Sequence, residues 1–125
     1  MEEIAAEIHQ KVLTVDSHTD TPWALLKGDF DLSKRHDFKE DRSRVDFPRM
    51  EEGGLDAVFM ASFVGQGARN DSAYQKAYAK AMIQLDSIHS HLSSRGNIAE
   101  IAMSPDEAYL LEEKGKRIVF IGIKD

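Results

Sequence analysis

Two potential metal ligands, His18 and Asp20, are separated by a single threonine. Residues i and i+2 of an extended chain point to the same side, so this pair can present an imidazole nitrogen and a carboxylate oxygen to one metal ion. Zinc accepts both kinds of ligand, and the carboxyl ends of strands are where parallel α/β folds bind ligands. The alternative is a polar loop in which Thr21 caps the next helix, because two such residues are a weak signal on their own.

The other histidines are not predicted to complete a metal site. His89 and His91 fall near the end of a long predicted helix, where positions i and i+2 diverge in direction. His36 lies in a highly charged stretch and His9 lies on a short first helix, and both are expected to be solvated. The chain contains no cysteine, which excludes thiolate ligands and disulfides. Any metal must therefore be held by histidine and carboxylate side chains.

The composition is that of an ordinary globular protein. The chain has 125 residues, 42% hydrophobic and 30% charged, and is expected to form one domain over residues 1–125. Its formal net charge is −6 without any basic stripe, which argues against nucleic acid as a partner. No apolar run approaches the roughly 20 residues of a membrane span. The acidic start lacks a signal-peptide pattern, so the expected compartment is the cytoplasm; an exported protein whose signal had been replaced by Met1 would look the same.

The elements that must position His18 and Asp20 alternate between strands and helices. Predicted strands cover residues 12–15, 55–64 and 117–123. Predicted helices cover residues 2–10, 22–26, 48–52, about 71–91 and about 105–114. The charged residues 29–46 are expected to be a long excursion, with a hairpin as one option. Nearly continuous apolar strands alternating with helices predict a parallel sheet covered by helices.

That alternation predicts an α/β fold of one of two kinds. A complete (β/α)8 barrel takes roughly 250 residues, so this chain would supply about three of the eight units, as its N-terminal portion. A small open α/β sheet is the alternative architecture.

Three passages, in order and at suitable spacing, resemble the membrane dipeptidase (renal dipeptidase) family. The first is Val15-Asp16-Ser17-His18-Thr19-Asp20-Thr21-Pro22-Trp23, followed by a leucine-rich turn. The second, residues 45–59, leads into the second predicted strand, and the third is residues 117–123. The matches extend over about residues 12 to 123, so the chain resembles the opening part of such an enzyme.

This resemblance implies a (β/α)8 metallopeptidase that hydrolyses dipeptides with two zinc ions bridged by a hydroxide. It implies that His18 and Asp20 bind one of the two ions. Trp23 matches an aromatic residue near the family's site and is a candidate substrate contact, with helix packing as the alternative. Asp16 is expected to brace the strand end rather than to bind metal. No catalytic residue is assigned within this chain.

The chain departs from the family at one important position. After Ile121-Gly122-Ile123 the family has a glutamate that bridges both metals, whereas this chain has Lys124. A lysine ammonium has no lone pair to donate and repels a dication. Asp125 is one residue further along and would point to the opposite face of a continuing strand. The family's remaining histidines lie on later strands, so the 125-residue chain is predicted to bind zinc weakly and to be inactive.

Three functions are compatible with these features. The first is a zinc dipeptidase, of which this chain is a fragment or a truncated product. The second is a non-catalytic binding or interaction module derived from that fold, which uses a strand edge left open by truncation. The third is an unrelated small α/β domain in which His18 and Asp20 merely precede a helix cap. Open strand edges and uncovered apolar faces also predict self-association.

Overall fold

Four parallel strands form one sheet in a computed structural model that describes residues 1–124. The strands are β1 (Val15–Thr19), β2 (Ala57–Phe63), β3 (Ala99–Ile101) and β4 (Arg117–Lys124), and their order in the sheet is β1-β2-β4-β3. The α/β class and the parallel sheet predicted from the sequence are confirmed. Asp125, which was expected to point away from Lys124, lies outside the described residues.

The helices of the described chain are α1 (Glu2–His9), α2 (Pro22–Leu25), α3 (Phe38–Asp41), α4 (Phe47–Gly53), α5 (Asp71–Ser93) and α6 (Pro105–Glu113). Side-chain caps set the starts of four of them. Asp37 accepts from the Lys39 backbone N–H at α3, and Asp46 from that of Arg49 at α4. Asn70 and Ser104 cap α5 and α6 in the same way. Within residues 1–124 there is no helix both long enough and apolar enough to span a membrane.

Two apolar clusters cover opposite faces of the sheet. Val58 and Val119 are paired neighbours and pack with α5 through Ile88 and Leu92. The preceding pair, Ala57 and Ile118, packs instead with α6 through Ala108 and Leu111. Successive strand residues point to opposite faces, so the two helices lie on different sides of the sheet.

The strand order explains this division. The chain moves in one direction across the sheet from β2 to β3, through α5, and in the reverse direction from β3 to β4, through α6. Both connections are crossovers between parallel strands, which are almost always right-handed. A right-handed crossover that reverses its direction must place its helix on the opposite face. The short strand β3 therefore determines where α6 packs.

The predicted strands correspond to β1, β2 and β4, which are adjacent and parallel as expected. The first strand was predicted too early in the chain, because β1 begins at Val15, where the predicted strand ended. His18 and Thr19 consequently belong to the strand itself. Strand β3 was not predicted. Residues 29–46 contain turns and α3 without any strand, so the optional hairpin is not formed.

The face that carries α6 is only partly covered. Phe59 and Phe120 stack there with ring centroids 4.7 Å apart. They line a groove of about 810 Å³, beside Met103 and Ile123, whose exposed fractions are 82% and 72%. Strand β3 pairs only with Arg117, Ile118 and Val119, so the carboxyl half of β4 has no strand on that side within the described chain.

Candidate metal centre

A register shift at the end of β1 determines the direction of the candidate ligands. Asp16 pairs with Val58, and regular pairing would then match His18 with Met60. Instead Thr19 pairs with Met60, so one extra residue is accommodated in β1. Thr19 therefore points toward the α5 side with Met60 and is buried. His18, which precedes Thr19 in β1, belongs to the opposite face, the one that carries Phe59, and Asp20 lies just beyond the strand.

His18 and Asp20 are brought together as the sequence predicted. The Nε2 atom of His18 lies 3.1 Å from the Oδ1 atom of Asp20, and the side chains are 39% and 62% exposed. Both groups remain accessible to solvent at the carboxyl end of β1. This geometry argues against the interpretation in which the two residues are unrelated and turned apart.

The residues around the pair hold the strand end in place. The Asp16 carboxylate accepts a hydrogen bond from the His18 backbone N–H at 3.0 Å, which agrees with its expected bracing role. The hydroxyls of Thr19 and Thr21 are both buried and lie 2.6 Å apart. Thr21 precedes α2 but makes no side-chain capping bond, so the helix-cap interpretation of this segment fails. Its hydroxyl instead ties the start of α2 to β1.

A pocket of about 420 Å³ opens beside the pair. Its lining includes His18, Asp20 and Trp23, and Trp23 is 46% exposed. The indole therefore faces the pocket and solvent rather than the protein core. Its position is compatible with the substrate contact expected from the resemblance.

Three of the remaining histidines form structural contacts. His36, which was expected to be solvated, is only 14% exposed, stacks on Phe30 and lies 2.5 Å from the Asp41 carboxylate, so that expectation was wrong. His9 is exposed, but its Nε2 donates to the Gly54 carbonyl oxygen at 2.8 Å. His91 Nε2 accepts from the Leu32 backbone N–H at 3.1 Å. These contacts join segments distant in sequence, which no local pattern could reveal.

No group of three or more metal-ligating side chains occurs among residues 1–124. His89 is exposed on α5 and has no role in the pocket. The pair formed by His18 and Asp20 is a two-donor arrangement within the described residues.

Lys124 lies two strands away from the pair. Thr19, Met60 and Ile121 are level with one another across the sheet, and Lys124 is three residues further along β4, opposite Phe63. With about 4.8 Å between strands and about 3.3 Å per residue, its backbone is roughly 14 Å from that of Thr19. It occupies the same face of the sheet as His18, but it does not line the 420 Å³ pocket.

A basic wall of the pocket was missed by the sequence analysis. Lys27 lines it from the turn after α2, and Arg42 and Arg44 line it from the segment after α3. Between the two arginines, Ser43 is buried and donates hydrogen bonds that lower the pKa of Asp41 to about 2, so that this carboxyl is ionised at neutral pH. The only sequence signal was an alternation of arginine, serine and arginine within a segment that has no periodicity.

Comparisons with known proteins identify the family through a family model and the fold through solved structures. The membrane dipeptidase family, peptidase family M19, matches residues 2–125. No curated protein matches the chain. The probable dipeptidase PvdM from Pseudomonas aeruginosa is 18% identical, with a TM-score of 0.79 over 97% of this chain and 30% of that one. The dipeptidase AC, a metallopeptidase of family M19, is 17% identical, with a TM-score of 0.68 over 90% of this chain and 36% of that one.

The two likenesses support the α/β fold, since identities this low carry no finer conclusion. The 125 residues correspond to about a third of the length of each of these solved structures.

Proposed function

This chain belongs to the membrane dipeptidase family, and on that premise we propose that it contributes the opening part of a zinc-dependent dipeptidase, with His18 and Asp20 as two ligands of one zinc ion. One observation carries the proposal. The two side chains converge to 3.1 Å at the carboxyl end of a parallel strand, beside a pocket. The proposed substrate is a dipeptide, as the resemblance implies.

The donor pair fits a zinc ion. Two ligand atoms bound at about 2.05 Å by a tetrahedral zinc lie about 3.3 Å from each other. The observed separation of 3.1 Å between His18 Nε2 and Asp20 Oδ1 is close to that distance. An imidazole nitrogen and a carboxylate oxygen are both common zinc ligands. The residues present can therefore occupy two coordination positions without rearrangement of β1.

When bound, zinc in such a site lowers the pKa of water and polarises a carbonyl oxygen. The residues of this chain hold the two proposed ligands in place and orient them. Asp16 fixes the backbone at His18, and the buried contact between Thr19 and Thr21 fixes the turn that carries Asp20. Trp23 offers an exposed aromatic surface on the pocket wall for a substrate side chain.

We further propose that β1, β2 and β4 are successive strands of a (β/α)8 barrel. Their parallel order and the partly open face that carries Phe59 and Phe120 support this arrangement. The share of the solved structures that the chain matches, 30% and 36%, is close to three of eight units. Strand β3 would then be a short addition at the amino end of β4 rather than a barrel strand.

The 125 residues by themselves are proposed to lack dipeptidase activity. Among residues 1–124 the pair is the largest set of donors at the pocket, and a lysine replaces the carboxylate that the resemblance implies between the metals. A zinc ion held by two protein groups must complete its shell with water and exchanges readily. Turnover would require donors that the described residues do not contribute.

A second candidate function is supported by the uncovered sheet. The carboxyl half of β4 is unpaired on one side within the described chain, and an apolar groove lies next to it. Such features bind another polypeptide strand or surface. A non-catalytic interaction module derived from the dipeptidase fold is therefore the alternative to an enzyme.

Isothermal titration of the 125-residue chain with Zn²⁺ tests the proposal. We expect weak binding that the substitution His18→Ala reduces at least about tenfold, since loss of even an outer-shell partner costs that much. The matched control is His89→Ala, an exposed histidine outside the pocket, which should leave binding unchanged. Equal affinities for the two variants would refute the ligand assignment. Zinc-dependent hydrolysis of a dipeptide by the unmodified chain would refute the proposed inactivity.

A further inference from the structure

Residues 33–46, which we call the pocket loop, are closed at their base by a backbone hydrogen bond. The Phe47 N–H donates to the Leu32 carbonyl oxygen at 2.9 Å, so the loop begins and ends at one point. Leu32 and Phe47 are both buried in the apolar core, whereas Ser43 and Asp46 are the only buried residues within the loop. A segment with so few buried side chains opens at a lower free-energy cost than the core does.

The pocket loop forms one wall of the pocket beside His18. Residues 41–45 line that pocket. The loop is tied to α4 through Arg49, which donates to the Ser43 hydroxyl at 3.0 Å. It meets α5 at a different point, where the base of the loop contacts the end of that helix. The contacts between the base and α5 therefore help to hold the pocket wall in place.

Two side chains, at and just after the end of α5, hold the base of the loop. His91 Nε2 accepts from the Leu32 backbone N–H at 3.1 Å, and Arg95 donates to the Asp31 carboxylate at 2.8 Å. The His91 side chain is only 11% exposed, and Leu32 is fully buried. Loss of the imidazole acceptor would leave the Leu32 N–H unpaired in a buried position, which is unfavourable.

The bond from Leu32 requires one protonation state of His91. Nε2 accepts through its lone pair, so the ring must be neutral, with its proton on Nδ1. A proton on Nε2 converts this acceptor into a donor that faces the donor of Leu32. The contact between the pocket loop and α5 therefore depends on whether this ring carries one proton or two.

The charged groups around the ring come from both sides of the contact. On the loop side, the Asp31 carboxylate lies 3.6 Å from His91 Nε2 and also accepts from the Ser33 hydroxyl at 2.7 Å. His36 Nε2 lies 2.8 Å from the Asp31 carbonyl oxygen. On the α5 side, Arg95 donates to the His91 carbonyl oxygen at 2.8 Å. Burial and the charge of Arg95 lower the pKa of His91, and Asp31 opposes the shift, so the closed loop favours the neutral ring.

We propose that His91 is a proton-controlled latch between α5 and the loop that forms the pocket wall. In its neutral form the ring accepts from Leu32 and holds the base of the loop against the helix. Protonation removes the acceptor, and the base of the loop moves off α5 so that the Leu32 N–H reaches water. The pocket wall then becomes mobile. As a control of access to the active site this inference rests on the proposed function, but the latch itself needs neither metal nor substrate.

The direction of the pH effect follows from the lowered pKa of His91. The closed loop binds this proton less readily than the open loop, in which the histidine titrates near its ordinary pKa of 6.5. The latch is therefore closed above about pH 6.5 and opens as the pH falls below that value. Arg95 holds the pKa of Asp31 well below its usual range, so their ion pair persists and keeps the opened loop near the helix.

Amide hydrogen exchange of the 125-residue chain, measured by NMR without zinc at about pH 5 and about pH 7.5, tests the latch. After correction for the intrinsic pH dependence of exchange, protection of the Leu32 amide should be about five- to thirtyfold lower at the acid pH. The upper value is the limit for a histidine of pKa 6.5 that takes up no proton in the closed loop. The Ser43 amide, in the pocket wall, should lose protection with it. The Ile118 amide, which donates to the Asp56 carbonyl oxygen at 2.9 Å at the start of β4, should stay protected.

Two histidine variants separate the latch from other titrating groups. His91→Gln keeps an oxygen acceptor for the Leu32 N–H but cannot be protonated, so its Leu32 protection should not depend on pH. His89→Gln, at an exposed histidine on the same helix, is the matched control and should behave as the wild type.

The proposal is overturned if Leu32 is equally protected at both pH values, if Ser43 does not follow it, or if the pH effect survives in His91→Gln. Equal loss of protection at Ile118 would also overturn it, because the whole protein would then be unfolding. The comparison of Leu32 with Ile118 in the wild type needs no substitution, so it decides even if a variant fails to fold. Because no zinc is present, failure of the proposed metal site would leave these results unchanged.

Discussion

The Asp56 carboxylate accepts two hydrogen bonds from Thr14, one from its backbone N–H at 2.9 Å and one from its hydroxyl at 2.8 Å. Thr14 immediately precedes β1 and Asp56 immediately precedes β2, so these bonds fix how the two strands are aligned along their axes. Arg117, the first residue of β4, donates to the same carboxylate at 3.4 Å. One side chain thus connects the amino ends of three adjacent strands, β1, β2 and β4.

Asp56→Ala is expected to destabilise the protein by about 2–3 kcal/mol, because it leaves the Thr14 donors and the Arg117 guanidinium without their acceptor in a partly buried position. Asp56→Asn keeps one carbonyl oxygen at this position and should cost less. Urea denaturation of both variants checks the order. A smaller loss for alanine than for asparagine would contradict the role assigned to the carboxylate.

The pH dependence of stability should include a step caused by His91. Burial and the positive charge of Arg95 lower the pKa of His91 below its ordinary value of 6.5, although Asp31 opposes the shift. The folded protein then binds this proton less readily than the unfolded chain. Stability is therefore full above about pH 6.5 and falls as the pH drops below that value toward the lowered pKa.

Denaturation measured between about pH 5 and pH 8 tests that expectation. His91→Gln cannot titrate, and its side-chain oxygen can still accept from the Leu32 backbone N–H, so the step should disappear in this variant. The lowered pKa values of Asp31 and Asp41 act only below their ordinary value of 3.8 and do not overlap this range. An unchanged step in the variant would assign it to another group.

Self-association of the 125-residue chain is predicted from the apolar groove and the unpaired part of β4. Sedimentation velocity should show oligomers whose share rises with protein concentration. Met103→Lys and Ile123→Lys place charges in the groove and should shift the distribution toward monomer. Tyr78→Lys, at a residue 69% exposed on α5, is the control outside the groove. A single monomeric species with a cooperative, concentration-independent melt would exclude the prediction.

Local sequence patterns were sufficient for the main strands and for the proximity of His18 and Asp20. Apolar runs identified β2 and β4, and the serine, proline and glutamate at residues 104, 105 and 107 identified the start of α6. The spacing of His18 and Asp20 indicated their convergence, which the structure confirms. These features depend on neighbours within a few residues, which is the range that periodicity and capping rules describe.

Features that depend on distant residues were not predictable in this way. Strand β3 has three residues, fewer than an alternating pattern needs, and exists because β4 provides its partner. The register shift in β1 becomes visible only against β2. His36 was expected to be solvated because its neighbours are charged, yet Phe30 and Asp41 fold around it. The basic wall of the pocket also depends on distant residues, since the segment that carries Arg42 and Arg44 is positioned by Arg49 and Asp46.

Lys124→Glu is expected to tighten zinc binding without creating activity. The lysine lies on the same face of the sheet as His18, and its backbone is roughly 14 Å from that of Thr19. Reversing its charge replaces repulsion of a dication by attraction. Distance and ionic screening limit the expected gain in zinc affinity to about three- to tenfold. This effect is smaller than direct contact with the ion would produce, and it should shrink at high salt.

Titrations with zinc at low and high ionic strength, alongside a dipeptide hydrolysis assay, measure both halves of this prediction. Lys80→Glu makes the same charge change on α5, away from the pocket, and should have less effect. Hydrolysis should stay absent in every variant, because a carboxylate at position 124 adds one donor to a pair that needs several more. Equal zinc affinities for Lys124→Glu and Lys80→Glu would show that position 124 does not act on this site. Activity in Lys124→Glu would show that one carboxylate was all the centre lacked.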